Sequence, residues 1–560
     1  MKQSTINSLE NFIWNIADEI LVDIYDVGDY RKVILPMLVI RRFDAILEPR
    51  HDELMRIKQS LNITAVDYEK ESTLIKAIKL PFVNQSPFTL RTLLADNKSK
   101  LQDNFRSYLD GFSANVRDII DKFQFRTQID RLVDSDRLIP LIEKFLSADI
   151  NLSPEPVRCN DGTIKLEALD NHAMGTLFEN ILRRFNESTN VTDAGRHFTP
   201  RDIVELMSQL AFLPVKDRLR DTTYLIYDGA CGTGGMLTVA EDCIKRLAID
   251  NEISIHLYGQ EIANETFAIA KADMLLKGEG EQADNIRQGS TISNDRFKFN
   301  ALGSRFTFDF MLSNPPFGTS WKSEFGAGDD DWRNCKTKDD VFDSRFRFTF
   351  DGEDFSVLPD IGDQQMLFLA NNIAKMKDST ELGSRIVEVH NGSSLFTGGA
   401  GSGSSNLRRF IIENDCLEAV IALPEKMFYN TGIGTFLWIV ANKKDSARRG
   451  FVQLIDASTI KTTLTKSLGQ KNCEFGAEDR KQILELYLAF DKADPKFSRV
   501  FPNEEFGYKS FNIMRPLRLR VLLDDDRIDR IAEKDRPLAT ALKQFRAELG
   551  DGRFQFVALG

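Results

Sequence analysis

From Ile6 onward the apolar residues Leu9, Phe12, Ile13, Ile16 and Ile20 recur at helical spacing, and 33–43 is a second apolar helix-like stretch in which Pro36 predicts a kink. Further helical patterns at 112–123 and 138–146 extend this texture, so residues 1–165 read as a helical N-terminal domain. It holds no cluster of reactive residues and reads as a scaffold. After Leu166 the texture changes. A helix at 174–185 and a polar stretch at 186–196 lead into short apolar strands that alternate with helices. The strands are expected at 224–227, 253–258, 308–312, 385–389, 419–423 and 436–441, and the helices at 235–248, 264–276, 364–376 and 406–413. Such alternation predicts an α/β fold, an open doubly wound sheet with helices on both faces, over residues 166–450. Ligands in such sheets bind at the carboxyl ends of the strands.

Two segments interrupt the alternation. The stretch 318–363 is long, acidic and dotted with aromatics (GAGDDDW, FRFTFDGEDF), and a loop of that length is usually functional or disordered. The tract TGGAGSGSS at 397–405 reads as flexible, with Ser405 or Asn406 placed to cap the next helix. Residues 451–560 turn mixed and then strongly helical. There 518–549 alternates charges in the manner of an exposed or partner-facing helix, which makes this tail either a docking element or a solvated one.

Composition narrows the class. The 560 residues carry 73 Lys and Arg against 84 Asp and Glu, a net charge of −11, which argues against a chain that grips nucleic acid alone through a global positive field. No stretch approaches the roughly 18 apolar residues of a membrane span, and MKQSTINSLENF lacks a signal-peptide core, so a soluble cytoplasmic protein is expected. The six cysteines are scattered without a CxxC pair, and the five histidines are equally dispersed. Neither a disulfide framework nor a metal site is expected.

Three motifs carry chemistry. Asp228-Gly229-Ala230-Cys231-Gly232-Thr233-Gly234-Gly235 lies between a strand and a helix. It departs from the dinucleotide fingerprint and from the phosphate loop, since no third glycine stands at the required position and no Lys follows. A tight strand-to-helix turn is one reading. The other is a cradle for a zwitterionic amino-acid end, with Asp228 facing the ammonium and loop amides meeting the polar tail. The next strand ends at Tyr258-Gly259-Gln260-Glu261, and a carboxylate there commonly accepts ribose hydroxyls. An amino acid and a nucleoside in one crevice point to S-adenosylmethionine.

Asn314-Pro315-Pro316-Phe317 follows the strand FDFMLS, and two prolines end that strand with its carbonyls available. The amino group of an aromatic base is a poor nucleophile because its lone pair is delocalised into the ring. The Asn314 side-chain oxygen and the Pro315 carbonyl can take both N–H hydrogens and let the lone pair localise, with Phe317 stacked on the base. Upstream, Gly195-Arg196-His197-Phe198-Thr199-Pro200-Arg201 opens an amphipathic helix, and its polar N-terminus suits a carboxylate.

In that order, GRHFTP, DGACGTGG, GQE and NPPF resemble the N6-adenine DNA methyltransferases. With the YRKVILPMLVIRRFD stretch of the N-terminal region, they resemble the modification (M, HsdM-like) subunit of type I restriction-modification systems. The resemblance covers most of 1–445. It implies a Rossmann-like methyltransferase fold and assigns Arg196, His197, Phe198, Thr199, Pro200, Arg201, Asp228, Gly232, Thr233, Gly234, Gly235 and Glu261 to S-adenosylmethionine. Asn314, Pro315, Pro316 and Phe317 are assigned to an adenine flipped from the duplex. Family members carry Asp in a G-D-T segment after the third strand, whereas this chain reads Gly289-Ser290-Thr291, so Ser290 stands in the cofactor position. The resemblance also implies a separate specificity subunit with two modification subunits per copy, a restriction subunit in complete systems, and double-stranded DNA bound through the complex. Methylation of a protein glutamine amide and a non-catalytic scaffolding role are the alternatives.

Overall fold

The run TYLIYD at 223–228 sends Ile226 to one side of a sheet and Tyr227 to the other, both fully buried, so the strand has packed layers on both faces. In the computed structural model, which describes residues 3–96, 98–188, 198–248, 252–277, 280–508, 517–521, 524–549 and 554–558, nine strands join in one sheet. In chain order they are β1 (Thr223–Asp228), β2 (Ser254–Glu261), β3 (Ile286–Gln288), β4 (Phe310–Ser313), β5 (Arg385–Asn391), β6 (Leu417–Ala422), β7 (Thr435–Ala441), β8 (Phe451–Asp456) and β9 (Ser498–Pro502). Their order across the sheet is β9-β8-β6-β7-β5-β4-β1-β2-β3. Strands β3, β2, β1, β4 and β5 run parallel. β7 runs antiparallel to both β5 and β6, and β9 runs antiparallel to β8. All six expected strands are present. β3, β8 and β9 are additional, so the sheet continues past residue 450 instead of ending there.

Helices cover both faces. On one, the N-terminal helices and Asn171–Ser188, Arg201–Phe212, Gly235–Leu247 and Asn264–Leu276 share a core with Ile226, Leu257 and Val389. Helix Arg31–Leu47 runs through Pro36 and buries Arg42, whose guanidinium donates to Leu152 O at 2.6 Å and to Asn171 Oδ1 at 2.9 Å. Asn171 in turn donates to Leu276 O at 3.0 Å, which ties the N-terminal helices to the sheet layer.

On the opposite face Tyr227, Met311, Ile386 and Trp438 meet Gln365–Ala374, Gly403–Glu413 and much of 318–363. That long segment is folded. Trp321, Trp332 and Phe346 are completely buried, and Arg347–Phe350 pairs with Glu353–Ser356 as a hairpin. Helix Gly403–Glu413 begins earlier than expected, with Ser402 in the cap position, so Ser405 and Asn406 lie inside it. The Asn406 amide instead donates to Ser356 O at 3.0 Å and Gly401 O at 3.2 Å.

Residues 507–560 form a separate unit. Within it Leu517–Val521 pairs antiparallel with Phe554–Ala558, and helices Asp525–Ala532 and Arg536–Leu549 are linked by Lys543–Asp529 and Arg546–Asp525 ion pairs, each 2.8 Å. The expected helix over 518–549 thus begins as a strand, since LRLRV alternates with period two. Among the described residues no helix is long and apolar enough to cross a membrane.

Candidate active site

Between β1 and β4 the chain reverses its direction of progress across the sheet: β2 and β3 add on one side of β1, β4 and β5 on the other. Carboxyl ends diverge at such a point and leave a crevice. Asp228 ends β1, Glu261 ends β2 and Asn314 follows β4, so the motifs separated in sequence meet along one edge.

Asp228 is 2% exposed, and its Oδ1 accepts the Ala230 amide at 2.9 Å and the Ser313 hydroxyl at 3.0 Å. Burial pushes its carboxyl up to about 7, against the pull of those two donors. The glycine loop turns over this residue. Gly234, at φ +81°, starts helix Gly235–Leu247, and its amide donates to Cys231 O at 2.8 Å. Burial likewise raises the Cys231 thiol well above its usual range, which makes it an inert packing group. Glu261 holds the loop from the other side, with Oε2 accepting the Gly232 amide at 3.0 Å and Oε1 accepting that of Ala263 at 2.8 Å. Both bonds fix the direction of the Glu261 carboxylate at the end of β2, where it lines the crevice.

Thr199, just before helix Arg201–Phe212, accepts the Asn314 Nδ2 hydrogen at 2.9 Å. That bond fixes the way the Asn314 amide is turned at the end of β4. Arg201 donates to Glu179 Oε1 at 3.4 Å, and a Cβ on Gly235 would lie only 2.6 Å from that same oxygen. Glu179, on helix Asn171–Ser188, was not visible as a site residue in the sequence, where it is one acidic position on an amphipathic helix. Burial raises its carboxyl, and Arg201 opposes the rise.

A cavity of about 160 Å³ joins these parts and is lined by Phe198, Gly232, Glu261, Ser290, Asn314 and Pro316, among others. A smaller adjoining one of about 50 Å³ touches Thr199, Arg201, Asp228, Thr233, Gly235 and Asn314. Pro200 is buried at the start of its helix. Phe317, expected to stack on a base, is 5% exposed and packs into the core on the N-terminal-helix side. The cavity wall next to Asn314 is therefore Pro316, and an apolar ring gains more from the core than from a polar cleft. Arg196 and His197 lie outside the described residues. A wider apolar cavity of about 590 Å³ lies near β6, β8 and β9, lined by Phe436, Trp438 and Phe501, and holds none of the motif residues.

Two family models match the chain: the N-6 DNA Methylase model over residues 169–519 and the HsdM N-terminal domain model over 9–145. The MjaIX methylase subunit of a type I restriction enzyme from Methanocaldococcus jannaschii is 24% identical, covering 96% of this chain and 87% of its own. The MpnII methylase subunit from Mycoplasma pneumoniae is 22% identical over 96% of this chain and 95% of its own. The crystal structure of the type I restriction-modification system methyltransferase subunit from Streptococcus thermophilus superposes with a TM-score of 0.63 at 18% identity, covering 90% of this chain and 96% of that one.

Proposed function

Because the chain belongs to the N-6 DNA methylase family and carries an HsdM N-terminal domain ahead of the catalytic region, we propose that it transfers the methyl group of S-adenosylmethionine to N6 of adenine in DNA, as the modification subunit of a type I restriction-modification system. The observation that carries this reading is the convergence of Asn314, the glycine loop and Glu261 on one cavity.

The cavity's chemistry fits the cofactor. Asp228 would meet the ammonium of the amino-acid end, Gly232 and Gly235 would let backbone approach the ligand closely, and Glu261 would accept ribose hydroxyls. Bound S-adenosylmethionine supplies an electrophilic methyl group on a sulfonium sulfur. The rest of the work falls to residues of this chain. Asn314, oriented by Thr199, accepts one hydrogen of the adenine amino group and the Pro315 carbonyl accepts the other, so electron density withdrawn into the ring returns to N6. No covalent enzyme intermediate is needed; positioning and preorganised acceptors carry the rate. Phe317 stacks on the base only if binding draws its ring out of the core. An adenine N6 inside a duplex is out of reach, so the base is flipped out.

A net charge of −11 supports DNA binding through a complex, in which a separate specificity subunit reads the sequence, two modification subunits serve each copy, and a restriction subunit completes systems that cleave. The test is transfer of labelled methyl from S-adenosylmethionine to genomic DNA, with and without the specificity subunit, followed by nucleoside analysis. N6-methyladenine that forms only with the partner is the expected result. Label in protein glutamine, or no label with either preparation, contradicts the proposal.

A further inference from the structure

The cavity holds another carboxylate that no motif announces. Glu324 is 7% exposed, sits in the short turn Lys322–Glu324, and lines the same cavity as Glu261 and Ser290. It comes from the long segment 318–363 and is carried there by buried anchors. Trp321 donates from Nε1 to Asp360 O at 3.0 Å and from its amide to Ile361 O at 3.1 Å, while the Asp329 amide donates to Ser293 O at 2.7 Å.

Ser290 fixes the carboxylate's direction. Its hydroxyl oxygen accepts the amides of Ile292 and Ser293 at 3.2 and 3.3 Å, which leaves the hydroxyl hydrogen to reach Glu324 Oε2 at 2.8 Å. Among the described residues Glu324 has no cation within ion-pair distance, and Ser290 is its one side-chain donor. A carboxylate on a cavity wall, held by one neutral donor, retains the capacity to accept a ligand N–H.

The sheet fixes which part of a ligand arrives there. The glycine loop follows β1, Glu261 ends β2 and Ser290 follows β3, three neighbouring strand ends spaced about 4.8 Å apart, whereas Asn314 lies on the other side of β1. A molecule whose amino-acid end meets the glycine loop and whose ribose meets Glu261 extends its base toward Ser290 and Glu324, away from the transfer site. We propose that Glu324 accepts a hydrogen bond from the exocyclic amino group of the cofactor's adenine, and that Ser290 is its positioning residue. This rests on the reading of the cavity as a site for S-adenosylmethionine. The carboxylate expected at position 290 itself thus arrives from 34 residues downstream.

The test uses calorimetric titration of the full chain with S-adenosylhomocysteine and with S-inosylhomocysteine, whose base carries an oxygen where adenine carries the amino group. Wild type is expected to favour the adenosyl compound by about 10- to 100-fold, the worth of a hydrogen bond to a charged group. In Glu324→Gln the amide donates to the inosyl oxygen, so the inosyl compound binds more tightly than to wild type and the preference collapses. A variant that merely lost structure gives no such gain. Ser290→Ala, which keeps the carboxylate but frees its orientation, is expected to lose part of the preference. An unchanged preference in Glu324→Gln, or an equal loss of both ligands, overturns the assignment. Failure of wild type to bind S-adenosylhomocysteine overturns the reading of the cavity instead.

Discussion

Two sets of buried carboxylates lie around the same sheet and are treated in opposite ways. Where the long segment packs on the fold, Asp343 and Asp295 are 1% and 8% exposed and are both paired with Arg345, with Lys375 on Asp295 as well. Arg345 donates to Asp343 Oδ2 at 2.6 Å and also to Thr291 O and Asn371 Oδ1, while Lys375 donates to Asp295 Oδ2 at 2.6 Å and to Phe297 O at 2.8 Å. Burial pushes the Lys375 amine down to about 8 against the pull of Asp295. At the carboxyl edge, Asp228 and Glu324 are as deeply buried, at 2% and 7%, yet among the described residues they meet neutral donors alone. Burial by itself therefore does not mark function. A carboxylate neutralised from within holds the fold together, and one left to neutral donors beside a cavity is prepared for a ligand.

That contrast is sharpest at Arg345. Arg345→Ala leaves Asp343 and Asp295 short of a buried cation, and a stability loss of about 3–5 kcal/mol in chemical denaturation is expected. Asp228→Asn should do the reverse: stability at neutral pH holds or rises, while affinity for S-adenosylmethionine falls by about tenfold or more. Equal destabilisation by both variants would erase the distinction.

The pH dependence separates the two sets further. Folded Asp228 keeps its proton up to about pH 7, whereas an Asp in the unfolded chain releases it near 3.8. The stability this group contributes is fully present below about pH 4 and is lost as pH rises through about 7. Asp228→Asn flattens that slope. A ligand ammonium favours the ionised carboxylate, so cofactor affinity should rise as pH passes upward through about 7, with proton release on binding. Titrations in buffers of different ionisation enthalpy read this directly. The smallest effect is expected from Ser313→Ala, which removes a donor to Asp228 and moves the midpoint of the affinity profile to higher pH by less than about one unit.

Much of this was legible in the sequence because it depends on local pattern. The strands at 224–227 and 436–441 are apolar runs that tertiary packing only lengthens, and the glycines after Asp228 dictate a turn wherever they sit. Asn314 was legible because two prolines stop a strand regardless of context. The remainder depends on partners distant in sequence. Glu324 reaches the cavity only because Trp321 and Trp332 bury themselves, and the irregular spacing of those rings carries no period to detect. Glu179 faces the loop because its helix packs there. Phe317 turned inward because the core on that side accepts its ring, which the motif alone does not state. β8 and β9 escaped notice because they extend the sheet beyond the regular alternation, where strand and helix patterns mix.

If methyl transfer occurs at the edge between β1 and β4, Asn314 is the acceptor group on which its rate depends. Single-turnover transfer by Asn314→Ala, in the assembled complex and beside a binding measurement, tests it most directly. Unchanged affinity for S-adenosylmethionine is expected, with a rate of N6-methyladenine formation lower by about 10²- to 10³-fold. A variant that binds cofactor and still methylates at the wild-type rate would contradict it.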